Sequence, residues 1–188
     1  MKLFFCDTET TGVSSNAAII QFAGIYIDSQ TKDEERINFF MKPHEGAEIS
    51  DKALEVNKML RDQILRFPDY HKTYSDIIKF FDSKVDKFDK ADKMHFVAWN
   101  GIFDWQKFYE LSLRCGNKYA GSYFHNPSID VKQIVNIDLI SKNKRPNTYF
   151  NLEDTLDLYV IKKPEGDFHG AMYDIICTKL MFDHFVKY

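Results

Sequence analysis

The sequence predicts an α/β domain: an antiparallel meander joined to parallel strands in one mixed sheet, with helices on its faces. Three observations carry this. Leu3–Cys6, Ala17–Ile27 and Arg36–Met41 are apolar, strand-like runs separated by short links, as in a meander. Tyr70, Tyr74, Ile77, Ile78, Phe81 and Val85 then recur with helical spacing. A fourth strand-like run, Met94–Trp99, follows that helix, so it can run parallel to the first strand by a right-handed crossover.

Leu3–Cys6 is uninterrupted and apolar, as expected for a strand buried on both faces in mid-sheet. It gives way to Asp7 and Glu9, spaced i, i+2, which alternation places on one side at the strand's solvent end. Thr10, Thr11 and Gly12 read as a tight turn whose backbone N–H groups can face a ligand. Pro43 ends the meander. Ser50 or Asp51 suits the cap of a short helix through Val56, and Asp69 stands just ahead of the longer helix. Lys72, Lys79 and Lys84 on that helix read as a solvated outer face. After Asn100-Gly101 a helix runs from Phe103 to Cys115 and is closed by Gly116. Tyr123-Phe124 begins a short fifth strand. Helices are expected over 130–140, over 151–160 and from Ala171 onward, the first two separated by the basic loop Lys142-Asn143-Lys144-Arg145-Pro146. Either that loop is a solvated surface or it tracks phosphates.

The 188 residues suit one domain, residues 1–188, with a single sizeable core. Hydrophobic residues at 44% and charged ones at 28% exclude a disordered chain. Cys6, Cys115 and Cys177 are odd in number and far apart, which argues against a disulfide framework or structural zinc and fits a reducing cytoplasm. No signal peptide and no membrane-length apolar run is present, so no membrane partner is expected. The net charge of −3 argues against gripping long duplex through the overall field, but leaves room for a local basic patch.

Two carboxylates as close as Asp7 and Glu9 repel each other and favour a divalent cation with hard oxygen ligands. Asp104 lies in the first turn of the helix after strand four. If that strand lies beside the first, Asp104 emerges at the same sheet edge, the usual ligand position in α/β sheets; an acid there also suits the helix dipole. Asn100 suits a turn and helix cap. Near the C-terminus, His169 precedes Asp174 by five residues. With His169 in the loop before the last helix, its ring can swing over the surface that Asp174 faces. Asp174 sits among Met172, Ile175, Ile176 and Leu180, where an unpaired acid would be costly.

Three motifs, Asp7-Thr8-Glu9-Thr10-Thr11-Gly12, Asn100-Gly101-Ile102-Phe103-Asp104 and His169-Gly170-Ala171-Met172-Tyr173-Asp174, together resemble those of the DnaQ-like 3′–5′ exonucleases of the DEDDh group, which includes proofreading subunits and exoribonucleases. Ile19-Ile20-Gln21-Phe22-Ala23, Ile129-Asp130 and Asn151-Leu152 extend the resemblance over essentially the whole chain. Ile175 stands where the family often has a small residue and Val131 where it often has threonine; both bear on helix packing.

The resemblance implies an RNase H-like fold, a mixed sheet of about five strands flanked by helices, and hydrolysis of phosphodiesters at 3′ ends of DNA or RNA. It implies two Mg²⁺ ions, replaceable by Mn²⁺, on Asp7, Glu9, Asp104 and Asp174, with His169 as general base. Thr8, Thr10, Thr11, Gly12 and Phe103 become candidates for holding the terminal nucleotide, although Phe103 equally suits the core. Expected partners are nucleic-acid 3′ ends and a polymerase or other replication or repair protein. The few residues after Asp174 favour freestanding action or docking through the globular surface. The alternative is a non-catalytic module of the same fold that holds a nucleic-acid end or a polymerase; retention of all five catalytic positions speaks against it.

Overall fold

The computed structural model describes residues 1–144, 151–165 and 170–188. Strands β1 (Lys2–Thr10), β2 (Ile19–Asp28) and β3 (Glu34–Phe40) form the antiparallel meander. β4 (Met94–Ala98) pairs parallel with β1, and β5 (Phe124–Asp130) parallel with β4, which gives the order β3-β2-β1-β4-β5. The acid-bearing strand is therefore the central one. The helices are α1 (Asp51–Val56), α2 (Arg61–Ile64), α3 (Tyr70–Asp82), α4 (Gly101–Arg114), α5 (Val131–Ser141), α6 (Leu152–Leu158) and α7 (Ala171–Phe185). Among the described residues no helix is long and apolar enough to cross a membrane.

Alternation along β1 divides the core into two layers. Phe4 and Cys6 face a cluster with Phe22, Phe96, Ile77 and Phe81 of α3 and Phe108 of α4. Leu3 and Phe5 face the opposite cluster, with Ile25, Val97, Val135 of α5 and Met181 and Phe182 of α7. Phe4 is fully buried, stacked on Phe22 at 6.0 Å and edge-on to Phe81 at 5.1 Å. Such ring pairs add about 0.5–1.5 kcal/mol each beyond burial of area. Gly24 makes room for that ring: a Cβ there would lie 2.2 Å from Phe4 Cζ.

Several elements differ from expectation in extent. β1 continues through Thr10 because β2 accompanies it, with Glu9 opposite Gln21 and an irregularity between Glu9 and Thr10. On its other side, pairing with β4 stops at Phe5 and Val97. The acids thus lie on a strand supported along one edge only, and the missing neighbour leaves a crevice. β5 is longer than its sequence suggested because His125, Asn126, Pro127 and Ser128 hide it; an edge strand tolerates Pro127. α4 starts at Gly101, two residues earlier than expected. α2 and a 3₁₀ turn at Ala120–Tyr123 are too short to show periodicity. Ser50, not Asp51, caps α1, and Asp69 caps α3 through the amides of His71 and Lys72. Lys84 is not on a solvated face: it pairs with Glu35 of β3 and lies 5.2 Å from the centroids of both the Tyr26 and Phe80 rings. Ile175 and Val131, the two departures in the motifs, are both buried in the α7-side core.

Candidate active site

The odd positions of β1 carry the site toward α7. Beyond Phe5 they become Asp7 and Glu9, and Asp174 in the first turn of α7 meets them. One oxygen from each of Asp7, Glu9 and Asp174 lies within 4.8 Å of the other two. The Asp174 amide donates to the Gly170 carbonyl at 3.1 Å, placing the carboxylate at the start of the helix. Thr8, on the other side of β1, points to α4. Its backbone N–H and its hydroxyl both donate to Asp104 Oδ1, at 3.0 and 2.7 Å. Asp104 is only 3% exposed and stands beside Asp7, outside the three-oxygen group.

The entry to α4 is set by backbone geometry. Asn100 adopts a left-handed conformation, φ 64°, which asparagine tolerates better than most residues, and its side chain makes no capping bond. Its amide donates to Asp130 Oδ1 at 3.1 Å, and the same oxygen accepts from the Lys132 amide at 2.9 Å. Asp130 therefore caps α5 and holds the start of α4 beside it.

The electrostatics follow from burial among acids. Burial, then the charges of Asp104, Glu9 and Asp174, holds the Asp7 carboxyl well above its ordinary value. Burial, then Asp174 and Asp104, pushes Glu9 up to about 7. Burial lifts Asp104 to about 7 against the two Thr8 hydrogen bonds, which favour the ion. Near neutral pH such a group ionises fully only with a cation among it. The donors suit a small hard ion: bonds of about 2.1 Å put octahedral oxygens about 3–4.2 Å apart, and the three oxygens lie within 4.8 Å.

An open cleft of about 440 Å³ lies beside these acids, lined by Glu9, Gly12, Val13, Ser50, Asn57 and Phe103 among others. A strand edge, a carboxylate group and a cleft meet at the C-terminal ends of the parallel strands β1 and β4. Residues 4–182 match the model of the exonuclease family RNase_T. The chain belongs to the RNase_T exonuclease family.

No curated protein matches its sequence significantly. Among solved structures, the chain is similar to E. coli exonuclease I in complex with a dT13 oligonucleotide: TM-score 0.71 at 20% identity, over 96% of this chain and 40% of that one. Cell-death related nuclease 4 (CRN-4) matches with TM-score 0.75 at 13% identity, over 97% of this chain and 62% of that one. Exonuclease I from Methylocaldum szegediense matches with TM-score 0.73 at 16% identity, over 98% and 41%. The chain thus spans 40% and 41% of the two exonuclease I chains. At these identities the likeness establishes the fold, the RNase H-like mixed sheet of the DnaQ-like exonucleases.

Within the candidate site, the sequence-predicted residues fare differently. Asp7, Glu9 and Asp174 come together, and Asp104 joins them through Thr8 and Asp7. His169 lies outside the described residues, as does Arg145 of the basic loop. Thr8, Thr10, Gly12 and Phe103 line the cleft. Thr11 does not reach it. Thr11 is fully buried; its N–H donates to the Ala18 carbonyl at 2.8 Å, and its hydroxyl donates to the Glu48 carbonyl and accepts from the Ala18 amide. The expected ligand-facing N–H is thus engaged by β2's approach, and Thr11 fastens the loop instead. Thr10 donates its hydroxyl to the Gly12 carbonyl at 2.7 Å. Lys142 is exposed, pairs with Asp138 at 2.7 Å and lies 5.4 Å from the Tyr159 ring centroid.

Sequence reasoning missed Asn57 and Lys107. Asn57 donates from Nδ2 to the Thr10 carbonyl at 2.9 Å and closes one wall of the cleft. Lys107 is 3% exposed, with its ammonium donating to the Ser14 carbonyl at 2.6 Å and to Glu110 at 2.8 Å. A signal existed for Lys107, which recurs at i+4 from Phe103 on the face of α4 that holds Leu111.

Proposed function

We propose that this protein is a metal-dependent 3′–5′ exonuclease that hydrolyses the terminal phosphodiester of single-stranded DNA or RNA and releases 5′-mononucleotides. The observation that carries the reading is the three-carboxylate group of Asp7, Glu9 and Asp174 beside a cleft at the end of the central strand. Asp7, Glu9 and Asp174 would hold one Mg²⁺, for which Mn²⁺ can substitute; Asp7 would be shared with a second ion held by Asp104 directly or through water. Bound divalent cations supply Lewis-acid stabilisation of charge on the attacking and departing oxygens of a phosphodiester.

The chain's own residues do the rest. The two donors of Thr8 fix the Oδ1 of Asp104 and hold that carboxylate beside Asp7. Gly12 and Phe103 shape the cleft for the terminal nucleotide, with the Phe103 ring as a stacking surface. His169 takes a proton from the attacking water, a role suited by an unperturbed pKa near neutrality. The working compartment in this reading is the cytoplasm, and a polymerase or repair protein can dock on the globular surface.

The test is digestion of matched 3′-labelled single-stranded DNA, duplex DNA and RNA with Mg²⁺, alongside a circular single strand. The linear strands should shorten from the labelled end to 5′-mononucleotides, and a chelator should stop the reaction. Cleavage that persists in excess EDTA, or internal cuts in the circle, would refute it.

A further inference from the structure

Against the residues that follow the Gly12–Ala17 loop lies a shallow surface hollow of about 20 Å³. Its walls carry Lys42 just past β3, His44, and Lys107 and Arg114 of α4, with Tyr70 and Leu111 between them. Three cations, Lys42, Lys107 and Arg114, converge here with the His44 imidazole in a chain whose net charge is −3. Chance packing of a mildly acidic surface does not favour that.

The nearby carboxylates do not neutralise the cluster. Glu110 binds Lys107, while Asp69, next to Tyr70, accepts from the amides of His71 and Lys72. Among the described residues, neither Lys42 nor Arg114 lies within ion-pair distance of an acid. An ammonium has three donors, and two of those of Lys107 go to Ser14 and Glu110. Burial, then the charges of Arg114 and Lys107, lowers the basicity of His44 and favours its neutral ring. Arg114 suits the C-terminal end of α4 through the helix dipole, but that leaves Lys42, on a different element, unexplained.

Helix α4 lines both the hollow and the cleft. Phe103 lines the cleft, and the Lys107 ammonium lies 6.0 Å from the centroid of its ring. Arg114 follows about 16 Å further along the axis than Phe103, at about 1.5 Å per residue. The geometry points to a second anion subsite, formed by Lys42, His44, Lys107 and Arg114, that takes a backbone phosphate of the bound nucleic acid away from the linkage being cut. This rests on the exonuclease reading for the identity of the ligand. The phosphate belongs either to the strand being cut or to a strand paired with it.

Lys42→Ala/Arg114→Ala is the test, because both side chains are at the surface and the fold does not depend on them. The control is Lys32→Ala/Lys90→Ala, at the opposite end of the sheet. Each protein is assayed for KM and kcat on a single strand and on a duplex across a salt series. Binding of the same labelled oligonucleotides is measured in EDTA. We expect the site variant to raise KM and Kd severalfold, with kcat unchanged. Its slope of log KM on log salt should fall by about 0.7 on a single strand and about 0.9 on a duplex, one phosphate's worth. A change on both substrates places the phosphate on the cut strand; a change on duplex alone places it on the paired strand. Slopes equal to the native protein's, or matched by the control variant, overturn the subsite while leaving the exonuclease reading intact. Salt-dependent binding that needs Lys42 and Arg114 in a protein that cuts nothing would keep the subsite and sink the exonuclease reading.

Discussion

Free of divalent cation, the protein should become more stable as pH falls from 8 to 6.5, the reverse of ordinary acid denaturation. The perturbation is removal of divalent metal with EDTA. Glu9 rises from its ordinary 4.5 to about 7 and Asp104 from 3.8 to about 7. Near pH 7 each therefore holds about half a proton in the fold, and each would have lost it in the unfolded chain. Together they take up about one proton on folding, so stability rises by about 1.4 kcal/mol for each pH unit downward. Asp7, raised further by burial and its acidic neighbours, acts in the same direction. The sign is fixed by the raised carboxyls: the folded state binds more protons than the unfolded one across this window. Below pH 6.5 the effect is opposed by His44 and His95, whose basicity burial lowers, which sets the lower limit. Over 1.5 pH units the gain is about 2 kcal/mol, or about 4–8 °C in Tm for a chain of this size. Thermal melts in EDTA across the window measure it directly. Saturating Mn²⁺ should raise Tm most at pH 8 and flatten the slope, because the ion binds the ionised acids. Glu9→Gln should melt higher than the native protein at pH 8 in EDTA. A metal-free Tm that is level or falls between pH 8 and 6.5, or an unchanged slope in Glu9→Gln, refutes the argument.

Two further outcomes follow from the site and the core. Asp174→Asn should lower Mn²⁺ affinity and activity together, whereas His169→Ala should retain Mn²⁺ affinity and lose about 10²–10⁴-fold in kcat; calorimetric titration with single-turnover cleavage separates them, and native cleavage by His169→Ala would remove that residue as the base. Gly24→Ala places a methyl 2.2 Å from the Phe4 ring, which is held by Phe22 and Phe81, so urea unfolding should show a loss of about 1–3 kcal/mol.

Much of this fold can be read from the residues because its central features are apolar runs of one period. The first strand, the meander and the crossover to β4 all rest on such runs, and Asp69, Ser50 and Gly116 mark helix ends where capping chemistry needs them. The acids could be identified by spacing, since Asp7 and Glu9 differ by the strand period and Asp104 follows a parallel strand. What escaped the sequence depends on partners distant in the chain. Thr11 resembles a turn residue free to bind, yet Ala18 and Glu48 claim its polar groups. Lys84 resembles a solvated lysine, yet Glu35 and two aromatic rings surround it. β5 is disguised by Pro127, which only its place at the sheet edge permits. Lys107 resembles any helix-surface lysine until the loop carrying Ser14 closes over it.

The site's dependence on a strand held along one edge has a consequence for assembly. Asp7 and Glu9 are synthesised first, Asp104 after β4, and Asp174 only with the last helix. A growing chain completes the meander by Phe40, so its two acids meet solvent while the crevice is still open. The repulsion that burial imposes on them therefore grows as α4 brings Asp104, and again when α7 brings Asp174 and closes the α7-side core around Phe5. Contacts this distant in sequence form slowly, since the loop must close before they stabilise anything. Divalent cation present during synthesis should ease that final docking step, because it relieves the repulsion as it arises.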